Sequence, residues 1–305
     1  MKDIKKAKFF FLLILAGVLA TPAVECTEGT AEETQRIAFT ANLDGNWDLF
    51  TMNREGKDVK RVTSTPYDEN NPSWSPDRTR IVCATSEGSL KIIEVDTGKT
   101  DTLLEGNGSG KNVNPVFSPD GTQIIYVHFN EKKADDTDLW KITMSTRESK
   151  CFLKQISSQF FPAYSPDGKK IVYANAHCSL DCGRIIQELW IADAHGGSVR
   201  QLVMTNSHCL DSSWSPDGKR IAFSSDMRGN FDIWILDCQT SKMLQITDDS
   251  NLHTSPTWSP DGKEIAFVST RSGQMGIWLK NILTNELKKI ELFPGKKVEC
   301  KDVAW

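Results

Sequence analysis

Catalysis or metal binding needs ionisable or nucleophilic side chains at a workable spacing, and this chain of 305 residues offers several candidate sets. Asp77, Asp120, Asp167, Asp217 and Asp261 each close a Ser-Pro-Asp tripeptide, and carboxylates so displayed could hold a cation or exchange protons. Their recurrence in every repeat argues for a turn instead: Pro presets φ at the second position, Asp suits the third, and the Gly that usually follows accepts positive φ. Gly106-Asn107-Gly108-Ser109-Gly110-Lys111 imitates a phosphate loop, but Glu105 stands in place of the first Gly and Asn112 in place of Ser or Thr. It reads as a glycine-rich connection. No Gly-x-Ser-x-Gly nucleophile elbow occurs. His177-Cys178-Ser179-Leu180-Asp181-Cys182-Gly183, with His208-Cys209 expected on the same face, supplies the ligand types that zinc takes. The loose Cys-x-x-x-Cys spacing and an even total of eight Cys favour a disulfide among Cys178, Cys182 and Cys209 over a metal, given the exported reading below.

The elements that must position these residues are set by a repeat. Trp74, Phe117, Tyr164, Trp214 and Trp258 each precede Ser-Pro-Asp and lie 43, 47, 50 and 44 residues apart, a period that signals propeller blades. Each turn leads into a β-rich run such as Ile124-Ile125-Tyr126-Val127 or Ile221-Ala222-Phe223. A third strand follows at Asp138-Leu139-Trp140, Glu188-Leu189-Trp190, Asp232-Ile233-Trp234 and Gly276-Ile277-Trp278, and a fourth at segments such as Leu244-Gln245-Ile246-Thr247. One turn departs from the pattern: Arg78 replaces the Gly, at a cost on the order of 1 kcal/mol if the backbone is unchanged.

The chain ends complement one another. Ile37-Ala38-Phe39-Thr40 reads as a second strand with no first, and Asp302-Val303-Ala304-Trp305 as a first strand with nothing after it, 47 residues beyond Trp258. The expected fold is therefore all-β: a six-bladed β-propeller of four-stranded antiparallel blades over 37–305, closed by strand exchange between the termini. Residues 1–23 read as a signal peptide, with Lys2, Lys5, Lys6 and Lys8 ahead of the apolar run Phe9 to Ala20, and 24–36 as a short N-terminal segment. That run has 12 residues, against the roughly 20 of a spanning helix, so no stable membrane anchor is expected. The 36 Lys and Arg against 40 Asp and Glu leave a net charge of −4 and no general basic surface for nucleic acid.

The repeat Pro-x-Trp-Ser-Pro-Asp-Gly-x-x-Ile-Ala-Phe followed by Asp-Ile-Trp resembles the repeats of the TolB C-terminal propeller, from the Tol-Pal envelope system. Asp48-Leu49-Phe50-Thr51-Met52-Asn53-Arg54-Glu55-Gly56 and Lys60-Arg61-Val62-Thr63 carry the same likeness, which covers 37–305. Residues 24–36 leave no room for the α/β domain that precedes the propeller in that family, so a stand-alone TolB-like propeller is expected. The resemblance implies recognition of an envelope protein or peptide without catalysis.

With the turns assigned to structure, function is sought where the blades differ. Five residues before each aromatic, Glu69, Asn112, Gln159, Cys209, His253 and Cys300 are expected to ring the channel mouth. Three before it, Asn71, Asn114, Phe161, Asp211, Ser255 and Asp302 form a second ring. The polar members Glu69, Asn71, Asn112, Asn114, Gln159, Asp211, His253 and Asp302 are the expected partner-binding set, on the face carrying the inter-blade loops. The reading is of a monomeric, periplasmic or secreted binding protein that needs no metal or cofactor. The competing reading is a metal-assisted carbohydrate lyase or hydrolase built on His253, Glu69, Asp211 and Asp302.

Overall fold

The computed structural model describes residues 35–106, 110–130, 137–178 and 183–305. The expected leader, most of the segment that follows it, residues 107–109 of the glycine-rich connection, and Cys182 lie outside the described residues. The described residues form twenty-four strands, β1 to β24 in chain order, in six antiparallel sheets of four. Each sheet is one blade. Second strands such as β5 (Arg80–Thr85) and β21 (Glu264–Ser269) are buried along almost their whole length, because a neighbouring blade covers each face.

The innermost strands are β4 (Glu69–Trp74), β8 (Gly110–Phe117), β12 (Gln159–Tyr164), β16 (Cys209–Trp214), β20 (His253–Trp258) and β24 (Glu299–Ala304). Each contacts the next around a ring, and β24 touches both β20 and β4. The sixth sheet runs β24-β1-β2-β3, where β1 is Ile37–Asn42, β2 is Trp47–Met52 and β3 is Lys60–Arg61. Ala38 faces Ala304, Ala41 faces Cys300 and Asn42 faces Glu299, so one blade is assembled from both ends of the described chain. The last strand begins three residues earlier than its aromatic spacing suggested.

The repeated aromatics fill the junctions between blades. Trp74 packs with Ala38, Leu49 and Val62 of the preceding blade, Trp214 with Val172, Leu189 and Ile191, and Trp258 with Ala222, Ile233 and Ile235. The Ser-Pro-Asp segments are the turns that the sequence indicates. In each, the Ser hydroxyl donates to the Asp carboxylate at 2.6–2.7 Å, and in the second turn Ser118 also accepts the Gln123 N–H at 2.9 Å. The Ser118 hydroxyl and the Thr122 N–H hold the Asp120 carboxyl below its ordinary range. These aspartates are committed to local geometry.

Candidate functional site

Every innermost strand is interrupted at the same place. Register slips between Asn70 and Ser73, Val113 and Val116, Phe160 and Ala163, Leu210 and Ser213, and Thr254 and Thr257, and between Ala38 and Thr40 opposite β24. At these bulges Asn71, Asn114, Phe161, Asp211, Ser255 and Asp302 all adopt left-handed backbone, with φ between 50° and 53°. Asn and Asp tolerate that region, whereas Phe161 is strained there by about 1–2 kcal/mol. The bulges bring all six residues into the lining of one central cavity of about 550 Å³. A second ring predicted from spacing alone is thus a channel ring in the structure.

The cavity lies on an unexpected side. Its lining runs from the bulge ring through Ser75 and Ser118 to Pro76, Pro119 and Pro166 of the Ser-Pro-Asp turns, so it extends toward the turn face rather than the loop face. The first ring is also placed differently. Glu69, Asn112, Gln159 and His253 are buried inside the blade junctions and contribute nothing to the cavity lining. Glu69 accepts hydrogen bonds from Thr63 at 2.7 Å and Thr65 at 2.6 Å, both on the preceding blade, and burial raises its pKa. Asn112 donates to the Gly88 carbonyl at 2.9 Å and meets His128 Nδ1 at 2.9 Å. Gln159 donates to the Ser157 carbonyl, and His253 Nε2 lies 3.1 Å from Asp249. Asn112 and Glu69 thereby tie their strands to the preceding blade, whereas Gln159 and His253 bond the connections leading into their own strands. Spacing located them correctly along the strand but could not show that their side chains turn into the junction.

Cys209 is likewise buried, with its thiol beside Thr205 at 3.4 Å and Ser225 at 3.5 Å, and is a free cysteine. It therefore leaves the expected disulfide set. The pairing of Cys178 with Cys182 falls outside the described residues. Among the described residues no group of three or more His, Cys, Asp or Glu converges.

Two carboxylates dominate the electrostatics of the channel. Burial and the neighbouring Asp302 carboxyl push Asp211 up to about 6, although the Ser255 N–H donates to it at 3.3 Å and the Ser224 hydroxyl at 3.2 Å. Burial also raises Asp302, which accepts the Asn71 N–H at 3.3 Å. A carboxyl with a raised folded pKa holds its proton more tightly in the native state. Its contribution to stability is full below the unfolded value near 4 and is lost as pH rises through about 6. Asp211→Asn keeps the left-handed backbone and removes the charge. It should match the parent at pH 4 and exceed it at pH 7.5 by on the order of 1–3 kcal/mol in denaturant unfolding. Equal stability at both pH values would contradict a strained Asp211 carboxylate.

The described residues define a closed six-bladed β-propeller with a polar central channel. The TolB beta propeller domain model matches residues 30–179, 82–247 and 157–301, and the chain belongs to that family. It is 28% identical over 221 residues to the Tol-Pal system protein TolB of Francisella tularensis subsp. mediasiatica, covering 56% of this chain and 48% of the relative. The chain spans about half the length of the curated relatives that it matches over long stretches. TolB from Acinetobacter baumannii superposes with a TM-score of 0.74 at 22% identity, covering 90% of this chain and 67% of that one. An oligogalacturonate lyase in complex with manganese shares the fold at a TM-score of 0.61 and 15% identity, over 87% of this chain and 77% of the lyase. No helix of the described residues is long and apolar enough to cross a membrane.

Proposed function

We propose that this chain is an exported, non-catalytic binding protein of the cell envelope, which recognises a protein or peptide in its central channel through Asn71, Asn114, Asp211 and Asp302. The carrying observation is the contrast within each repeat: the complete blades share the Ser-Pro-Asp turn, whereas the bulge ring presents Asn, Asn, Phe, Asp, Ser and Asp to one cavity. A rigid ring whose cavity-lining residues differ from blade to blade suits selective binding. The basic start and short apolar run support export, and the family supports an envelope setting. The lyase reading has less support, since His253 and Glu69 sit in separate blade junctions, away from the cavity that holds Asp211 and Asp302.

The test uses glycine, because alanine at φ near 50° would add strain of its own. Asn71→Gly combined with Asn114→Gly should reduce capture of the parent protein's partner from an envelope extract about tenfold or more. The melting temperature should stay within a few degrees of the parent. Undiminished capture by the folded double variant would place the binding surface outside the channel.

A further inference from the structure

Arg78 occupies the turn position at which Gly121, Gly168, Gly218 and Gly262 stand in the other complete blades. Those glycines have φ between 66° and 69°, and Arg78 takes φ 60°, a region where a side chain with a Cβ is strained. Strain of this kind persists where surrounding contacts enforce it and gathers at binding sites. The guanidinium lies 4.2 Å from the Trp74 ring centroid and donates from Nη2 to the Arg36 carbonyl. Its Nε is buried without a hydrogen-bond partner. No carboxylate pairs with it among the described residues, while the adjacent Asp77 is occupied by Ser75 and Thr79. Burial and the nearby Arg36 cation push Arg78 down to about 9, the signature of a cation lacking its counter-charge.

Arg78 also lines the central cavity, at its turn-side end. We propose that this end of the channel is a carboxylate-binding site, in which Arg78 receives the C-terminal carboxylate of an extended peptide. The inference rests on the peptide-binding reading above and gives that peptide a chemical handle and a direction. A guanidinium without a counter-charge among the described residues is the natural partner of a carboxylate, which it binds by charge and through its terminal N–H groups. Asp211 and Asp302 at the bulge ring repel a second carboxylate, so the anionic end stays at the turns and the chain runs inward. Pro72, Pro115, Phe117 and Trp305 give the apolar wall against which the last residues would pack.

The experiment exposes the immobilised full chain to a mixed-sequence library of N-acetylated tetrapeptides, prepared with either a free C-terminal carboxylate or a C-terminal amide. Retained peptides are read by mass spectrometry. The parent protein should enrich carboxylate forms about tenfold or more over amides. Arg78→Gly, which matches the backbone of the other turns and should fold, is expected to abolish that preference, and Arg78→Lys to keep part of it. Equal retention of both forms by the parent, or a preference that survives in Arg78→Gly, would overturn the site while leaving channel binding intact. Amides retained only when they contain Asp or Glu would overturn the assignment to the chain terminus. Retention of neither form would contradict the peptide-binding reading as well.

Discussion

Removing Asp302 to Trp305 should lower the melting temperature by roughly 10 °C or more, far beyond what four terminal residues usually contribute. The deleted stretch carries the Ala38–Ala304 pairing of the sixth blade and Val303, which is buried with Phe39, Met52 and Ile277. It also removes the Trp305 N–H that donates to Thr257 at 3.2 Å and the Asp302 carboxylate that accepts from Asn71 at 3.3 Å, on the two neighbouring blades. The truncation therefore leaves the Ala38 end of β1 unpaired and loosens two junctions at once. Thermal unfolding followed by circular dichroism measures it. An unchanged melting temperature would contradict a ring held shut by its own ends.

Trp258→Ala should cost about 3–5 kcal/mol in equilibrium unfolding. Its ring is 4% exposed, wedged against Ala222, Ile233 and Ile235 of the preceding blade, and covered by the Arg220 guanidinium at 4.5 Å from the centroid. Truncation empties a junction that neighbouring strands, pinned by their ladders, cannot collapse to fill. Trp258→Phe, which keeps most of the packing, should lose less than half as much. Equal losses for both variants would contradict stabilisation by the volume packed at this junction.

The blades were legible because each is a compact pattern of local signals: an aromatic, a rigid turn, an apolar run and Asp-x-Trp, repeated with little variation. Pairing of the termini followed from counting strands, and β24 with β1 bears it out. The site was legible only in part. Counting back from the aromatic finds which residues share a level of the ring, but not which way they point. The bulge at Asn71 and its equivalents reverses that direction relative to simple alternation, and no single dipeptide announces it: Asn-Pro, Phe-Pro, Ser-Pro, Asp-Ser and Asp-Val all occupy it. His253 and Glu69 therefore read as channel groups although they are buried away from the cavity. Arg78 was visible as a breach of turn chemistry, yet its meaning required the cavity beside it.

The central claim is that the channel binds the partner. Its most direct test replaces Phe161, in the bulge ring, with the photoreactive analogue p-benzoylphenylalanine, and separately places that residue at Leu244, an exposed position on an outer strand. After irradiation in the intact envelope, the Phe161 protein should form one discrete adduct that is lost when Asn71→Gly and Asn114→Gly are added, and the Leu244 protein should form none. An adduct from Leu244 with none from Phe161 would contradict the account.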